Sequence, residues 1–257
     1  MATVTLNDPQ RLNALSAAMM FQLNARLAEL SRDPRIRAVI IVGSGTAFCS
    51  GGALDLIRDG ALGVHRVDDL ETPGGGTAEP WRFIRLQFGA AVRTIVNSNV
   101  LFVAAINGPA AGVGLALALA CDVVIASKEN ATLVPAFARL GLVPEVGTSW
   151  AITRRLGYQG ALRFFTLGTH VNAQQAFDMG LVQELHPHDE LMTAAHAVVD
   201  RMLQLPAHTL EMTKTLLRAS CDLPFEASLR LEEAFEANCF STRALPTAAA
   251  ALLRSRL

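Results

Sequence analysis

The sequence is short of charge. Asp, Glu, Lys and Arg make up only 18% of its 257 residues, and 22 basic residues nearly cancel 23 acidic ones, leaving a formal charge of −1. No global basic field is present to draw in nucleic acid or an anionic membrane, so neither is expected as a partner. An anionic ligand would have to be held by a local basic patch or by backbone N–H groups. Cysteine is sparse too: Cys49, Cys121, Cys221 and Cys239 form no C-x-x-C pair. In a chain of this size that reads as free thiols in a reducing compartment. Metal-ligand spacing is missing: His186 and His188 flank Pro187 in a polar stretch, a loop rather than a ligand pair, and no metal is expected. Long apolar runs are missing as well. The longest, Ala110 to Cys121, is too short to span a bilayer. The start, Met1 to Pro9, lacks the basic-then-apolar layout of a targeting segment, so a cytoplasmic protein is the default expectation.

What is there is apolar: 51% of the residues, enough for one sizeable α/β core with a small helical appendage. Residues 2–6 alternate like a strand. Residues 16–31 predict an amphipathic helix with Ser16 as N-cap and Met19, Met20, Leu23, Leu27 and Leu30 as its apolar stripe. Residues 37–43, 100–106 and 121–126 read as buried strands with helices between them, the rhythm of a mostly parallel sheet. Residues 58–80, rich in glycine and charge, read as a surface loop, either a cover for a site or a plain connector. From residue 188 four helices follow, 189–204, 207–221, 225–239 and 246–256, divided by Pro206, Pro224 and Pro246. The expected division is a core over 1–187 and a helical region over 188–257.

Two glycine-rich turns follow strands. One runs Thr46-Ala-Phe-Cys-Ser-Gly-Gly-Ala-Leu54; the other, Ile106-Asn-Gly-Pro-Ala-Ala-Gly-Val-Gly-Leu115, opens an apolar helix over 112–120. Such junctions line the crevice at the carboxyl ends of parallel strands. Glycine lets a ligand approach the backbone, and a helix start adds unpaired N–H groups with a partial positive charge. Two such turns facing each other could form an oxyanion hole; each alone also reads as an ordinary tight turn. Neither is a dinucleotide or P-loop fingerprint.

Four segments, in order, resemble the motifs of the enoyl-CoA hydratase/isomerase (crotonase) family: Arg11-Leu-Asn-Ala-Leu15, Phe48-Cys-Ser-Gly-Gly52, Asn107 through Gly114 with Cys121-Asp122, and Arg139-Leu-Gly-Leu-Val-Pro-Glu-Val-Gly147. Ala176 to Val182 resembles the family's segment before its helical tail. The resemblance spans nearly the whole chain. It implies an α/β fold, a spiral of ββα units with a C-terminal helical trimerisation region. It implies CoA thioester substrates, with CoA arriving as part of the substrate and no separate cofactor, and a homotrimer or a hexamer of two stacked trimers. The family's oxyanion donors map onto the N–H groups of Gly52 and Val113, with Ser50, Gly112, Ala116 and Phe137 lining the substrate. Arg11 fits a position near the nucleotide. Arg243, Arg254 and Arg256 are the only late cations, where relatives are Lys-rich. The chain also enters at what looks like the family's second strand.

The departures bear on the reaction. The family's hydratases activate water with two glutamates, and the matching positions here are Ala116 and Phe137. Ordinary hydration is therefore not expected. Glu145 lies where the family's double-bond isomerases carry one acidic residue. It reads either as that base or as an N-cap or first-turn carboxylate of the helix 147–156, favoured there by the dipole. The expectation is a Δ3,Δ2-enoyl-CoA isomerase, its Ala-Phe-Ala-Arg-Leu-Gly-Leu-Val-Pro segment resembling the phenylacetate-pathway branch. An atypical hydratase, hydrolase or lyase, or a non-catalytic acyl-CoA-binding homologue, remains open.

Overall fold

In the computed structural model, which describes residues 1–53, 56 and 78–255, eight strands build two sheets. The larger sheet contains β1 (Ala2–Leu6), β2 (Ala38–Gly43), β3 (Leu101–Ile106), β5 (Val123–Ser127) and β8 (Glu184–His186), in the order β1-β2-β3-β5-β8 and parallel throughout. β2 and β3 are buried along their whole length, which is why both read as unbroken apolar runs. The smaller sheet orders β4 (Pro109–Ala111), β6 (Thr132–Val134) and β7 (Val171–Asn172), with β4 and β6 parallel and β7 antiparallel to β6. Isolated bridges Cys49–Ala110 and Leu15–Gly52 carry this second ladder toward the amino-terminal half. Each long strand is thus followed by a short pairing in the second sheet before a helix begins. That is the ββα repeat.

The helices of this part are α1 (Ala17–Arg32), α2 (Ala78–Phe83), a π-helical turn (Ile84–Phe88), α3 (Gly89–Asn97), α4 (Val113–Ala120), α5 (Thr148–Leu167) and α6 (Ala173–Asp178). Ser16 caps α1, its Oγ accepting the Met19 N–H at 3.2 Å, and the stripe Met20, Leu23, Leu27 and Leu30 is buried. α4 is apolar all round and buried all round, as such a helix must be. α5 breaks at Gly157, whose φ of 69° and ψ of 173° are not helical. The carboxyl-terminal helices are α7 (Leu191–Leu203), α8 (Ala207–Ser220), α9 (Phe225–Phe240) and α10 (Ala244–Ser255). The chain forms two compact units, Met1–Ala197 and Val198–Leu257. No described helix is long and apolar enough to cross a membrane.

Several sequence expectations are corrected. The third long strand starts at Val123, because Cys121 ends α4 and the Asp122 carboxylate accepts the Phe102 N–H at 2.8 Å. Residues 78–80 begin α2 rather than ending a loop, and 58–77 lie outside the described residues. Pro246 sits inside the first turn of α10, where its missing N–H costs nothing. On α7, Leu191, Ala195 and Val199 are buried, and Val198 and Met202 are partly buried. Exposed apolar side chains on α8 and α9 include Leu217 at 61%, Phe225 at 76% and Phe240 at 65% exposure.

Candidate active site

The first glycine-rich turn leaves β2 with no room for side chains. A methyl group on Gly43 would lie 2.1 Å from the Ala47 oxygen, and one on Gly108 would lie 2.0 Å from the Thr46 oxygen. The turn then pairs with the second one. The Phe48 and Cys49 N–H groups both donate to the Pro109 oxygen at 3.1 Å, and the Ala111 N–H donates to the Cys49 oxygen at 2.9 Å. A methyl on Gly51, at φ +103°, would meet the Ala111 oxygen at 3.0 Å and the Gly112 Cα at 3.8 Å. The two turns predicted to face each other are therefore in contact, fused by three main-chain hydrogen bonds.

The second turn is a left-handed entry into α4. Gly112 sits at φ 50°, ψ −120° as the residue before the helix, a conformation that excludes side chains, and its N–H donates to the Val134 oxygen at 3.1 Å. Val113 is the first residue of α4, so its N–H has no intrahelical partner. Neither the Gly52 N–H nor the Val113 N–H has an acceptor among the described residues. Gly52 is half-buried and Val113 is buried. Buried donors are nearly always paired, and these two, on adjoining turns, have no acceptor among the described residues.

Ala116 lies one helical turn beyond Val113, on the same face, and is buried. Phe137 is buried too, its ring 6.1 Å from Phe165 at 61°. Neither side chain can carry a proton. Glu145 is half-buried, and burial alone pushes its carboxyl above the ordinary glutamate range. No side-chain hydrogen bond or ion pair is formed by its carboxylate among the described residues. Its main chain is held instead: the Glu145 oxygen accepts from the Thr148 N–H at 3.0 Å and the Thr148 hydroxyl at 2.7 Å. Val146 follows at φ +54°, a conformation a β-branched residue adopts only under strain, and Gly147 at φ +84° precedes α5 without a side-chain cap. Glu145 thus stands two residues outside the cap position.

Phe88 and Val92 are residues that sequence reasoning missed. Phe88 ends the π-helical turn, and its ring would lie 3.3 Å from a methyl on Gly52. Val92, one turn on, would lie 3.7 Å from a methyl on Gly147. One face of this helical run therefore touches both the Gly52 turn and the turn that carries Glu145. No sequence signal marks a π-helical turn, although such turns recur beside functional sites. Phe83 packs edge-on against Phe88, with ring centroids 5.2 Å apart. Ser50 joins the turn to the Arg11 segment: its N–H donates to the Leu12 oxygen at 3.0 Å and its hydroxyl to the Arg11 oxygen at 3.3 Å. Arg11 itself is exposed at the end of a 3-10 turn, Pro9–Arg11. Cys49 is no nucleophile. Its thiol is buried and pushed up to about 12 by desolvation.

Comparison with known proteins agrees with this architecture. A family profile described as enoyl-CoA hydratase/isomerase matches residues 1–249. A Rhodobacter capsulatus protein named a probable enoyl-CoA hydratase is 33% identical over 232 residues, 90% of this chain and 83% of that protein. The 1,2-epoxyphenylacetyl-CoA isomerase of Escherichia coli is 30% identical over 234 residues, 91% of this chain and 84% of the isomerase. The crystal structure of an enoyl-CoA hydratase/isomerase from Cupriavidus metallidurans superposes with a TM-score of 0.86 at 28% identity, covering 98% of this chain and 89% of the other. With one profile along nearly its whole length and relatives matched over most of theirs, this chain belongs to the enoyl-CoA hydratase/isomerase family.

Proposed function

We propose that the protein is an acyl-CoA isomerase that moves a carbon–carbon double bond from the Δ3 to the Δ2 position. The observation that carries this reading is the pair of N–H groups, Gly52 and Val113, on touching turns, neither with an acceptor among the described residues, combined with the Glu145 carboxyl on a turn that meets the same helical run as Gly52. The two N–H groups hold the thioester oxygen. Glu145 removes a proton from C2, and the C–H electron pair becomes the C1=C2 bond of a dienolate whose charge rests on that oxygen. Protonated Glu145 then returns the proton at C4. The C3=C4 pair takes it up, and C2=C3 forms in conjugation with the thioester. Loss of one good oxyanion donor typically costs about 2.7–4 kcal/mol, so the turns matter as much as the base. The raised pKa of Glu145 suits a group that must accept a proton and release it again in one turnover. CoA enters only as part of the substrate, and the reading places the enzyme in the cytoplasm.

Hydratase names among the relatives favour a second reading, water addition. Ala116 and Phe137 oppose it, because neither can orient or activate water. The two separate on paired substrates followed by absorbance. With 3-hexenoyl-CoA the conjugated product accumulates at an enzymatic rate; with crotonyl-CoA hydration stays far below the ordinary kcat range of about 1–10³ s⁻¹. Hydration within that range would replace the isomerase reading. Tight binding of both esters without turnover would make the chain an acyl-CoA-binding homologue.

The same reading includes self-association. Leu217, Phe225 and Phe240 are exposed apolar side chains on the carboxyl-terminal unit, which contact with a further copy would cover. Light scattering is expected to give three or six chain masses at micromolar concentration; a stable monomer would overturn the trimer.

A further inference from the structure

Two buried asparagines converge on one peptide carbonyl. Asn13, fully buried before α1, and Asn107, buried at the end of β3, both donate to the Ala47 oxygen, at 2.8 and 3.2 Å. Asn13 also donates to the Ser44 oxygen at 2.9 Å, and Asn107 to the Gly45 oxygen at 3.0 Å. Their oxygen ends are engaged as well. Asn107 Oδ1 accepts the Gly43 N–H at 3.0 Å, and Asn13 Oδ1 accepts the Asp8 N–H at 2.9 Å and the Ser44 hydroxyl at 3.2 Å. Each amide is thus satisfied at both ends in one orientation only.

The segment they hold is the one that delivers the first N–H donor. Residues 43–48 lead directly into Cys49 through Gly52, and the Ser44, Gly45 and Ala47 carbonyls accept from these two side chains. Asn107 stands two residues before Pro109, whose oxygen takes the Phe48 and Cys49 N–H groups, and six residues before Val113. It is a strut between the two turns, and Asn13 braces the first turn from the opposite side in sequence.

We propose that Asn13 and Asn107 are positioning residues that set the spacing between the Gly52 and Val113 N–H groups. The proposal rests on the reading of those groups as the thioester oxygen's donors. Truncating either amide leaves a buried carbonyl short of a donor, and the turn shifts to satisfy it. Displacements of about 1 Å in a positioned group can cost about 10²-fold in rate. Asn13→Ala and Asn107→Ala are each expected to lower kcat by about 10–10²-fold with KM nearly unchanged.

The diagnostic measurement is the infrared stretch of a ¹³C-labelled thioester carbonyl in bound hexanoyl-CoA, a saturated ester that is not isomerised. Wild-type protein shifts the stretch to lower frequency than in free solution, and both asparagine variants give a smaller shift. Leu27→Ala, a cavity variant in α1, is the control: it lowers the melting temperature and retains the full shift. The difference spectrum reports only carbonyl bound to folded protein, so partial unfolding does not obscure it, and two separate sites supply two independent variants. A full shift in a folded Asn107→Ala or Asn13→Ala protein overturns the positioning role while the oxyanion reading stands. No shift in the wild-type protein overturns that reading, and the positioning role with it.

Discussion

Glu145→Gln is expected to bind acyl-CoA esters normally and to lose isomerisation by about 10²–10⁴-fold, the contribution a positioned general base makes. Binding survives because the donors are main-chain groups the substitution leaves in place. Exchange of the α-protons of a saturated acyl-CoA with D₂O isolates proton removal and falls in parallel. The pH dependence follows from the direction of the Glu145 shift. Burial raises its pKa, so the acid limb of kcat/KM lies above the ordinary glutamate value of about 4.3 and disappears in the glutamine variant. Stability moves the opposite way from a capping role. A carboxyl whose folded pKa is raised contributes fully below its unfolded pKa, and that contribution is lost as pH rises through the folded value. At pH 7 the glutamine variant therefore melts at or above the wild-type temperature, and the difference closes toward pH 4. A helix-start role predicts about 0.5–2 kcal/mol of lost stability with normal turnover. Early melting with wild-type isomerisation would make Glu145 structural.

Gly114→Ala should be severely damaging to the site. Its Cβ would lie 2.5 Å from the Cys49 oxygen and 2.7 Å from the Cys49 Sγ, so α4 must move away from the first turn. Overpacking of this kind costs about 3 kcal/mol at the upper end of its usual range. In a protein of this size that lowers the melting temperature by about 6–12 °C. Separating the turns also removes one donor from the thioester oxygen, a loss of about 10²–10³-fold in kcat. Gly180→Ala is the comparison. Gly180 is left-handed at φ +71° with nothing within 4 Å of a methyl group, so the change costs about 1–2 kcal/mol of backbone strain and leaves kcat unchanged. Equal kcat for both variants would show that the turns need not touch.

The long strands and α1 were legible because their causes are local: unbroken apolar runs in β2 and β3, and a serine ahead of a 3.6-residue stripe in α1. The short strands of the second sheet were not. With two or three residues each they carry no periodicity, and only the partner strand defines them. The chemistry at Ala116, Phe137 and Glu145 could be read as residue types. What surrounds Glu145 could not, since its raised pKa comes from burial and the strained Val146 leaves no mark in sequence. Asn13 and Asn107 lay in plain view inside quoted motifs, yet their shared acceptor is 34 and 60 residues away. A polar amide inside an otherwise apolar Leu-Asn-Ala-Leu or Ile-Asn-Gly-Pro run was the available signal, because such a group must find partners once buried.

Because both candidate donors belong to the peptide backbone, exchanging side-chain functional groups cannot delete them; only added bulk or a broken brace can. In the proposed mechanism the carbonyl grip and the proton-handling groups can therefore be altered separately. A library randomised at positions 116, 137 and 145 would sample carboxylates, amides and apolar groups around an unchanged enolate cradle. Installing Glu at 116 and 137 in such a library would test whether water addition can be recovered with the cradle left as it stands.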